Sequence, residues 1–130
     1  MPVRSLSSSV LRWPDAQTIV AALHSWAEKV ARERRAVRRI GYFGSYARGD
    51  WGVGSDLDLV IVVESSEQPF ERRAAAWDTS GLPVPTDVLV YTEAEWRSLI
   101  QQGRFRPATD EVIWIYRGNS DHSPEGAENE

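Results

Sequence analysis

Apolar residues recur along the chain with two different spacings, and these spacings predict where helices and strands form. Between residues 19 and 30 they follow one another at intervals of three and four, which produces one apolar stripe on a helix. Asp15 stands before this stripe, in the position of a helix cap. The pattern therefore predicts a first helix that begins near Asp15 and ends in the arginine-rich segment 32–39.

Shorter apolar runs have the length and composition of strands. Residues 57–63 form the most hydrophobic run and predict a strand that is buried on both faces. The other predicted strands are residues 39–43, 87–91 and 112–116. A later helix is predicted over residues 92–102, because Thr92 and Glu95 have the spacing of a capping box. Residues 69–79 have weaker helical character.

Together these elements predict an α/β (α+β) domain, in which a small mixed sheet of three to four strands packs against flanking helices. The domain is expected to span residues 14–117. Residues 1–13 are rich in serine and predict a loose arm. Residues 118–130 are polar and acidic and predict a disordered tail.

Composition narrows the class of protein. The length of 130 residues fits one domain, with 42% hydrophobic and 26% charged residues. The lack of cysteine excludes disulfides, zinc–thiolate sites and cysteine nucleophiles. No apolar run is long enough to span a bilayer and residues 1–13 lack the core of a signal peptide, so a cytoplasmic protein with no membrane partner is expected. The net charge of -4 argues against direct nucleic-acid binding.

Two acidic residues, Asp56 and Asp58, lie at the start of the most hydrophobic strand. Residues two apart in a strand point to the same side, so both carboxylates would face away from Leu57 and Leu59. Like charges this close raise each other's pKa unless a cation lies between them. Magnesium is such a cation, because it binds a few carboxylates together with substrate phosphates. The alternative is a solvated strand end with two unrelated acids.

A third acid, Asp87, also begins an apolar strand. If that strand lies beside residues 57–63, three carboxylates meet at neighbouring strand ends. Such a set suits two magnesium ions, one on a triphosphate and one at the attacking oxygen. The alternative for Asp87 is a turn residue that follows Pro85.

Residues 44–55 contain four glycines and predict a loop, with one helical turn at 45–49. Gly44 allows the backbone to approach a ligand closely. Ser45 would begin the helical turn, where backbone N–H groups and its hydroxyl can hold a phosphate. The alternative is an ordinary Gly-Ser turn.

The spacing of these features is more specific than any one of them. Gly44 and Ser45 are followed, after ten residues, by Asp56-Leu57-Asp58, with a predicted strand on each side of the motif. This arrangement resembles the signature of the DNA polymerase beta-like nucleotidyltransferase superfamily over residues 40–91. Residues 44–59 are most similar to the minimal nucleotidyltransferases, the antitoxins of bacterial HEPN/MNT toxin–antitoxin pairs.

The resemblance implies a polymerase-beta-like fold and a role for each matching residue. It implies that Asp56 and Asp58 are catalytic metal ligands, and that Asp87 is the third acid, acting as a base or a metal ligand. It implies nucleotide binding by a further set of residues, Gly44, Ser45, Arg48 and Ser55. It also implies magnesium, as two ions, and ATP as the substrate.

The activity implied is transfer of AMP from ATP to a tyrosine hydroxyl of a partner HEPN toxin, which the protein would neutralise as its antitoxin. Two alternatives stay open: a protein of the same fold that neutralises by binding alone, and a nucleotidyltransferase subunit for a small molecule such as an aminoglycoside. The presence of all three acids favours an enzyme. A chain of 130 residues leaves no room for the helical domain that small-molecule enzymes generally carry.

The resemblance leaves two features unassigned. Trp51 lies inside the glycine-rich loop, which offers little core, so we expect it to stack on a base or on a partner. Five arginines between residues 32 and 39 form a basic cluster. Its simplest role is a solvated helix end favoured by the helix dipole, and the alternative is docking of an acidic partner or RNA.

Overall fold

A computed structural model of the chain describes residues 14–103 and 111–118, and in this part four strands form one mixed sheet. The strands are β1 (Val37–Phe43), β2 (Leu57–Val63), β3 (Thr86–Thr92) and β4 (Ile113–Arg117). Their order across the sheet is β3, β2, β1, β4. Strand β1 runs antiparallel to β2 and β4, whereas β2 and β3 are parallel. The predicted α/β class and mixed sheet are therefore confirmed.

Helices cover the sheet and fill its connections. The two longer ones are α1 (Ala16–Glu33) and α4 (Glu93–Gln102), and the two short ones are α2 (Ser45–Arg48) and α3 (Phe70–Arg73). A 3-10 turn, Ala74–Ala76, continues α3. In the part of the chain described, none of these helices is long and apolar enough to cross a membrane.

Both predicted helix caps are confirmed. The Asp15 carboxylate accepts a hydrogen bond of 2.8 Å from the Thr18 N–H at the start of α1. At the start of α4 the Thr92 hydroxyl accepts from the Glu95 N–H at 3.1 Å, and the Glu95 carboxylate accepts from the Thr92 N–H at 2.9 Å. Each cap uses an N–H group that has no partner within its helix.

The first helix ends earlier than the arginine run suggested. It stops at Glu33, and Arg34 already has an extended backbone. Strand β1 begins at Val37, two residues before the predicted start. Val37 is 3% exposed, so the chain leaves the helix to place this side chain in the core. The predicted arm, and residues 119–130 of the predicted tail, lie outside the described residues.

Strand β2 is buried on both faces, as its sequence predicted. On one face Leu57, Leu59 and Ile61 have no exposed surface and pack in a cluster with residues of α1. On the other face Val60 and Val62 pack in a second cluster that includes Trp96 of α4. An uninterrupted apolar run is what a strand between two layers requires.

A buried arginine joins α3 to α4 across the edge of the sheet. Arg73 is 7% exposed, and its guanidinium donates to the two Glu95 carboxylate oxygens at 2.6 and 3.1 Å and to the Val90 carbonyl at 3.1 Å. The hydrogen bond from Arg73 is the main reason why the pKa of Glu95 lies below its ordinary value. Glu95 therefore acts both in a helix cap and in an ion pair.

We expect Glu95→Gln to lower the free energy of unfolding at neutral pH by about 1–2 kcal/mol, because Gln keeps the cap but leaves Arg73 without a counter-charge. Glu95 has a lowered pKa in the folded state, so its contribution is complete above the unfolded pKa and is lost as the pH falls through the folded pKa. Urea unfolding at neutral and acidic pH measures this. The difference between variant and wild type should shrink in acid, and Glu28→Gln, at an exposed position of α1, should have little effect at either pH.

Candidate active site

The parallel pairing of β2 and β3 brings the predicted acids together. In its register Asp58 lies directly opposite Asp87. On its other side Asp58 is paired with Phe43, the last residue of β1. Asp56 stands immediately before the start of β2. The strand that contains Asp87 therefore lies beside residues 57–63, which is the condition for the three carboxylates to meet.

The three acids influence one another electrostatically. The pKa of Asp58 is raised, first by burial and then by the negative charges of Asp87 and Asp56, while Arg48 acts in the opposite direction. Desolvation and repulsion both disfavour the ionised form of this carboxyl group, and a nearby positive charge would offset them. The site therefore favours a cation.

Gly44 brings the backbone close to this carboxylate. Its φ of 79° lies in the left-handed region that favours glycine. A Cβ atom at Gly44 would collide with Oδ2 of Asp58. Helix α2 begins at the next residue, Ser45, so the first N–H groups of a helical turn lie beside the acids. Backbone and carboxylate could not approach this closely with any other residue at position 44.

Two open clefts meet at Asp58. The first, of about 660 Å³, is lined by Phe43, Gly44, Ser45, Arg48, Ser55, Asp56, Asp58 and Glu111. It thus brings together six of the seven predicted site residues. The seventh, Asp87, lines a second cleft of about 550 Å³, together with Asp58, Phe43, Thr79, Thr86 and Trp77 among others. Asp58 and Phe43 line both clefts.

Arg48 is held by two carboxylates. Its Nε donates to Asp50 at 3.1 Å and its Nη1 donates to Glu111 at 3.2 Å. The hydrogen bond to Asp50 raises the pKa of Arg48 most, and the hydrogen bond to Glu111 raises it further. The arginine therefore connects the loop after α2 with the segment that leads into β4, which supports a bracing role.

Glu111 is a residue of the first cleft that the sequence analysis did not identify. It is separated from Arg48 by 63 positions, and the fold alone brings the two together. A signal was nevertheless present, because Glu111 stands just before an apolar strand, as Asp56 stands before β2.

Ser55 closes the glycine-rich loop from within. Its hydroxyl oxygen accepts from the Gly52 N–H at 2.9 Å, and its carbonyl accepts from the Tyr46 hydroxyl at 3.2 Å. The Tyr46 ring is 6% exposed and stacks on Trp51, with centroids 5.4 Å apart. Trp51 also packs against the main core cluster. The expectation that this loop offers Trp51 little core is therefore wrong, and a contact of Trp51 with a base or a partner stays a prediction.

The donor chemistry of the site fits a divalent metal ion, since carboxylate oxygens that repel one another are the ligands such an ion prefers. Within residues 14–103 and 111–118, no three His, Cys, Asp or Glu side chains are arranged to hold an ion by themselves. Magnesium commonly takes one or two carboxylates and completes its shell with water and substrate phosphates. The assignment of Asp56, Asp58 and Asp87 as metal ligands stays a prediction.

The mixed sheet thus carries acids at the starts of two parallel strands, with a glycine turn against one of them. The model of the nucleotidyltransferase domain family matches residues 24–111, which is more than half of the chain. The protein belongs to this family, whose members generally use a nucleoside triphosphate and a divalent metal ion.

Solved structures are similar to this fold. A candidate nucleotidyltransferase from Sulfolobus solfataricus has a TM-score of 0.58 at 19% identity, over 78% of this chain and 83% of the other. A toxin–antitoxin structure with AMP-PNP has a TM-score of 0.46 at 19% identity, over 75% and 76% of the two chains. A mutant of the toxin–antitoxin pair MntA–HpeT has a TM-score of 0.47 at 16% identity, over 75% and 76%. The first likeness supports the fold. The TM-scores of the other two are too low to support a conclusion about this protein. No curated protein matches the chain.

We expect Asp58→Asn to raise the melting temperature of the metal-free protein by a few degrees at neutral pH. A carboxyl group whose folded pKa is raised binds more protons in the folded than in the unfolded state, so the wild type loses stability as pH rises through that interval. Thermal unfolding with a chelator, at a series of pH values, measures the effect. A lower melting temperature for Asp58→Asn at neutral pH would contradict the assigned electrostatics.

Gly44→Ala should weaken binding of magnesium-ATP by about tenfold or more, because a methyl group there displaces the Asp58 carboxylate. Gly54→Ala is the matched control: Gly54 also has a positive φ, of 89°, but a Cβ there meets no atom of the described residues within 4 Å. Calorimetric titration of both variants separates backbone strain, which they share, from the collision. Equal affinities for the two variants would show that the approach of Gly44 to Asp58 does not matter.

Proposed function

We propose that the protein is a magnesium-dependent nucleotidyltransferase that transfers AMP from ATP to a tyrosine hydroxyl of a partner HEPN toxin, and so acts as its antitoxin. The observation that carries this proposal is that Asp58 lines both clefts. A nucleotide in the first cleft and an acceptor in the second would meet over this carboxylate.

The nucleotide belongs in the first cleft. The triphosphate lies against Gly44 and the first turn of α2, where Ser45 offers its hydroxyl and its N–H group. Asp56 and Asp58 would hold magnesium, and the ion would neutralise phosphate charge during transfer. Arg48 braces the loop through Asp50 and Glu111 and adds positive charge to the same cleft.

The acceptor hydroxyl approaches from the second cleft. Its oxygen forms a bond to the α-phosphorus while the bond from that phosphorus to pyrophosphate breaks, and its proton passes to the Asp87 carboxylate. The products are an AMP ester of the acceptor and free pyrophosphate. The position of Asp87 opposite Asp58 supports this division, because the base then lies beside the metal-binding pair.

A protein acceptor is favoured by the openness of both clefts and by the motif at residues 44–59, which is most similar to antitoxin nucleotidyltransferases. A toxin that presents a tyrosine would itself provide the remaining walls of the acceptor site. The alternatives, neutralisation by binding alone and a small-molecule acceptor, lead to different outcomes in one experiment.

That experiment incubates the protein with α-labelled ATP, magnesium and the toxin encoded beside it, and follows label on the toxin. We expect labelling by the wild type and a loss of at least about a thousandfold in Asp56→Asn/Asp58→Asn, since both metal-binding carboxylates are gone. Glu28→Gln, at an exposed position of α1, is the control and should retain full activity.

Labelling that survives in the double variant would refute the metal-site assignment. Neutralisation of the toxin by the double variant, without labelling, would support binding alone. Label that appears on an aminoglycoside and never on the toxin would support the small-molecule alternative.

A further inference from the structure

A further cavity, separate from the two clefts, lies at the end of the sheet opposite the three aspartates. It has a volume of about 370 Å³. Its floor is apolar and is formed by the buried residues Val37, Val63, Val90 and Trp77. Polar side chains also line it, namely Arg34, Arg35, Ser65, Ser66, Gln68 and Arg73. Cavities of this size and composition are typical of binding sites.

Three arginines line this cavity, and no acidic residue of the described part of the chain lines it. The charge of Arg73 is already balanced by Glu95. Arg34 and Arg35, by contrast, form no ion pair in the part of the chain that the structure describes. In a chain of net charge -4, two such arginines beside an apolar floor form a local site for an anion.

Arg34 is held in place before any ligand binds. Its guanidinium lies 4.0 Å from the centre of the Trp77 ring and donates a hydrogen bond to the Ala76 carbonyl. Because this long side chain is already ordered in the free protein, ligand binding costs less conformational entropy. Its planar fork retains N–H donors that suit a carboxylate. The basic cluster of residues 32–39 is therefore more than a solvated helix end.

The mixture of an apolar floor and a cationic edge selects the ligand class. A polynucleotide needs a row of cations along its backbone, and this cavity offers two unpaired guanidinium groups over aliphatic side chains. A peptide in which carboxylates alternate with apolar side chains satisfies both parts. We propose that this cavity is a docking site for an acidic, apolar segment of the protein acceptor. This inference rests on the proposed function in taking the acceptor to be a protein.

The cavity is connected to the acceptor side of the active site through one residue. Trp77 lines both this cavity and the second cleft, where Asp58 and Asp87 lie. A segment anchored on Arg34 and Arg35 therefore lies on one side of Trp77 while the reacting hydroxyl lies on the other. Docking here would raise the local concentration of the acceptor without contact with the nucleotide.

The test is a titration of isotope-labelled protein with a short peptide of alternating glutamate and leucine, followed through the amide resonances of Val37, Val63 and Val90. We expect saturable shifts at these three residues. Arg35→Glu should weaken binding of the peptide by about tenfold or more, because it reverses one of the two charges that have no ion-pair partner. Arg35 is exposed, so the melting temperature should not change.

Arg32→Glu is the matched control, because Arg32 is an exposed arginine in the last turn of α1, close to Arg35 in the sequence, and does not line the cavity. It should bind the peptide as the wild type does. Absence of shifts at the cavity, or equal weakening by Arg32→Glu and Arg35→Glu, would overturn the docking site. So would tighter binding of a single-stranded RNA oligonucleotide than of the peptide at the same residues.

In the labelling reaction Arg35→Glu should raise the KM for the toxin about tenfold and leave kcat and the KM for ATP unchanged. A change in kcat alone would contradict a docking role. The peptide titration needs neither ATP nor magnesium, so a wild type that transfers no label would refute the proposed function while the titration still decides the docking site.

Discussion

Strand β2 is covered by α1 on one face and by α4 on the other, and the site depends on where this cover ends. From Leu59 to Val63 the strand is almost fully buried, and this burial stabilises the fold. On the face covered by α4 the cover opens at the start of the strand, where Asp58 is half-buried, while Leu57 on the other face stays fully buried. Burial raises the pKa of Asp58 more than any other influence. The same layer packing that stabilises the fold thus creates a carboxylate that favours a cation.

Much of the glycine-rich loop serves to hold its own shape. Ser55 accepts hydrogen bonds from Gly52 and Tyr46, and Trp51 stacks on Tyr46 over the core. Arg48 is fixed by Asp50 and Glu111. A loop that is braced in this way keeps Gly44 against Asp58 without help from a ligand, which is what a preorganised phosphate site requires.

Different side chains gather at the two ends of the parallel pair β2 and β3. Asp58 and Asp87 lie opposite each other at the starts of the strands, and Arg34 and Arg35 line a cavity beyond their far ends. In the proposed function, one small sheet would separate the binding of a nucleotide from the recognition of a protein. Trp77, which lines the cavities at both ends, makes the connection between them short.

The sequence by itself determined the features that depend on neighbours a few positions apart. The Asp15 cap, the Thr92 and Glu95 capping box and the buried strand β2 follow from local hydrogen bonds and from apolar spacing. Asp56 and Asp58 line the same cleft, as the two-residue period of a strand predicted, although Asp56 stands just before β2. None of these needs knowledge of distant parts of the chain.

Only the tertiary structure decided which distant residues meet. It placed Asp87 opposite Asp58, brought Glu111 to Arg48, and stacked Arg34 on Trp77. It also ended α1 at Glu33, because the core required Val37 in a strand. Strand order and direction are set by long-range packing, so they cannot be predicted from local periodicity. The candidate catalytic residues were therefore visible in the sequence one at a time, while their assembly around Asp58 was a property of the fold.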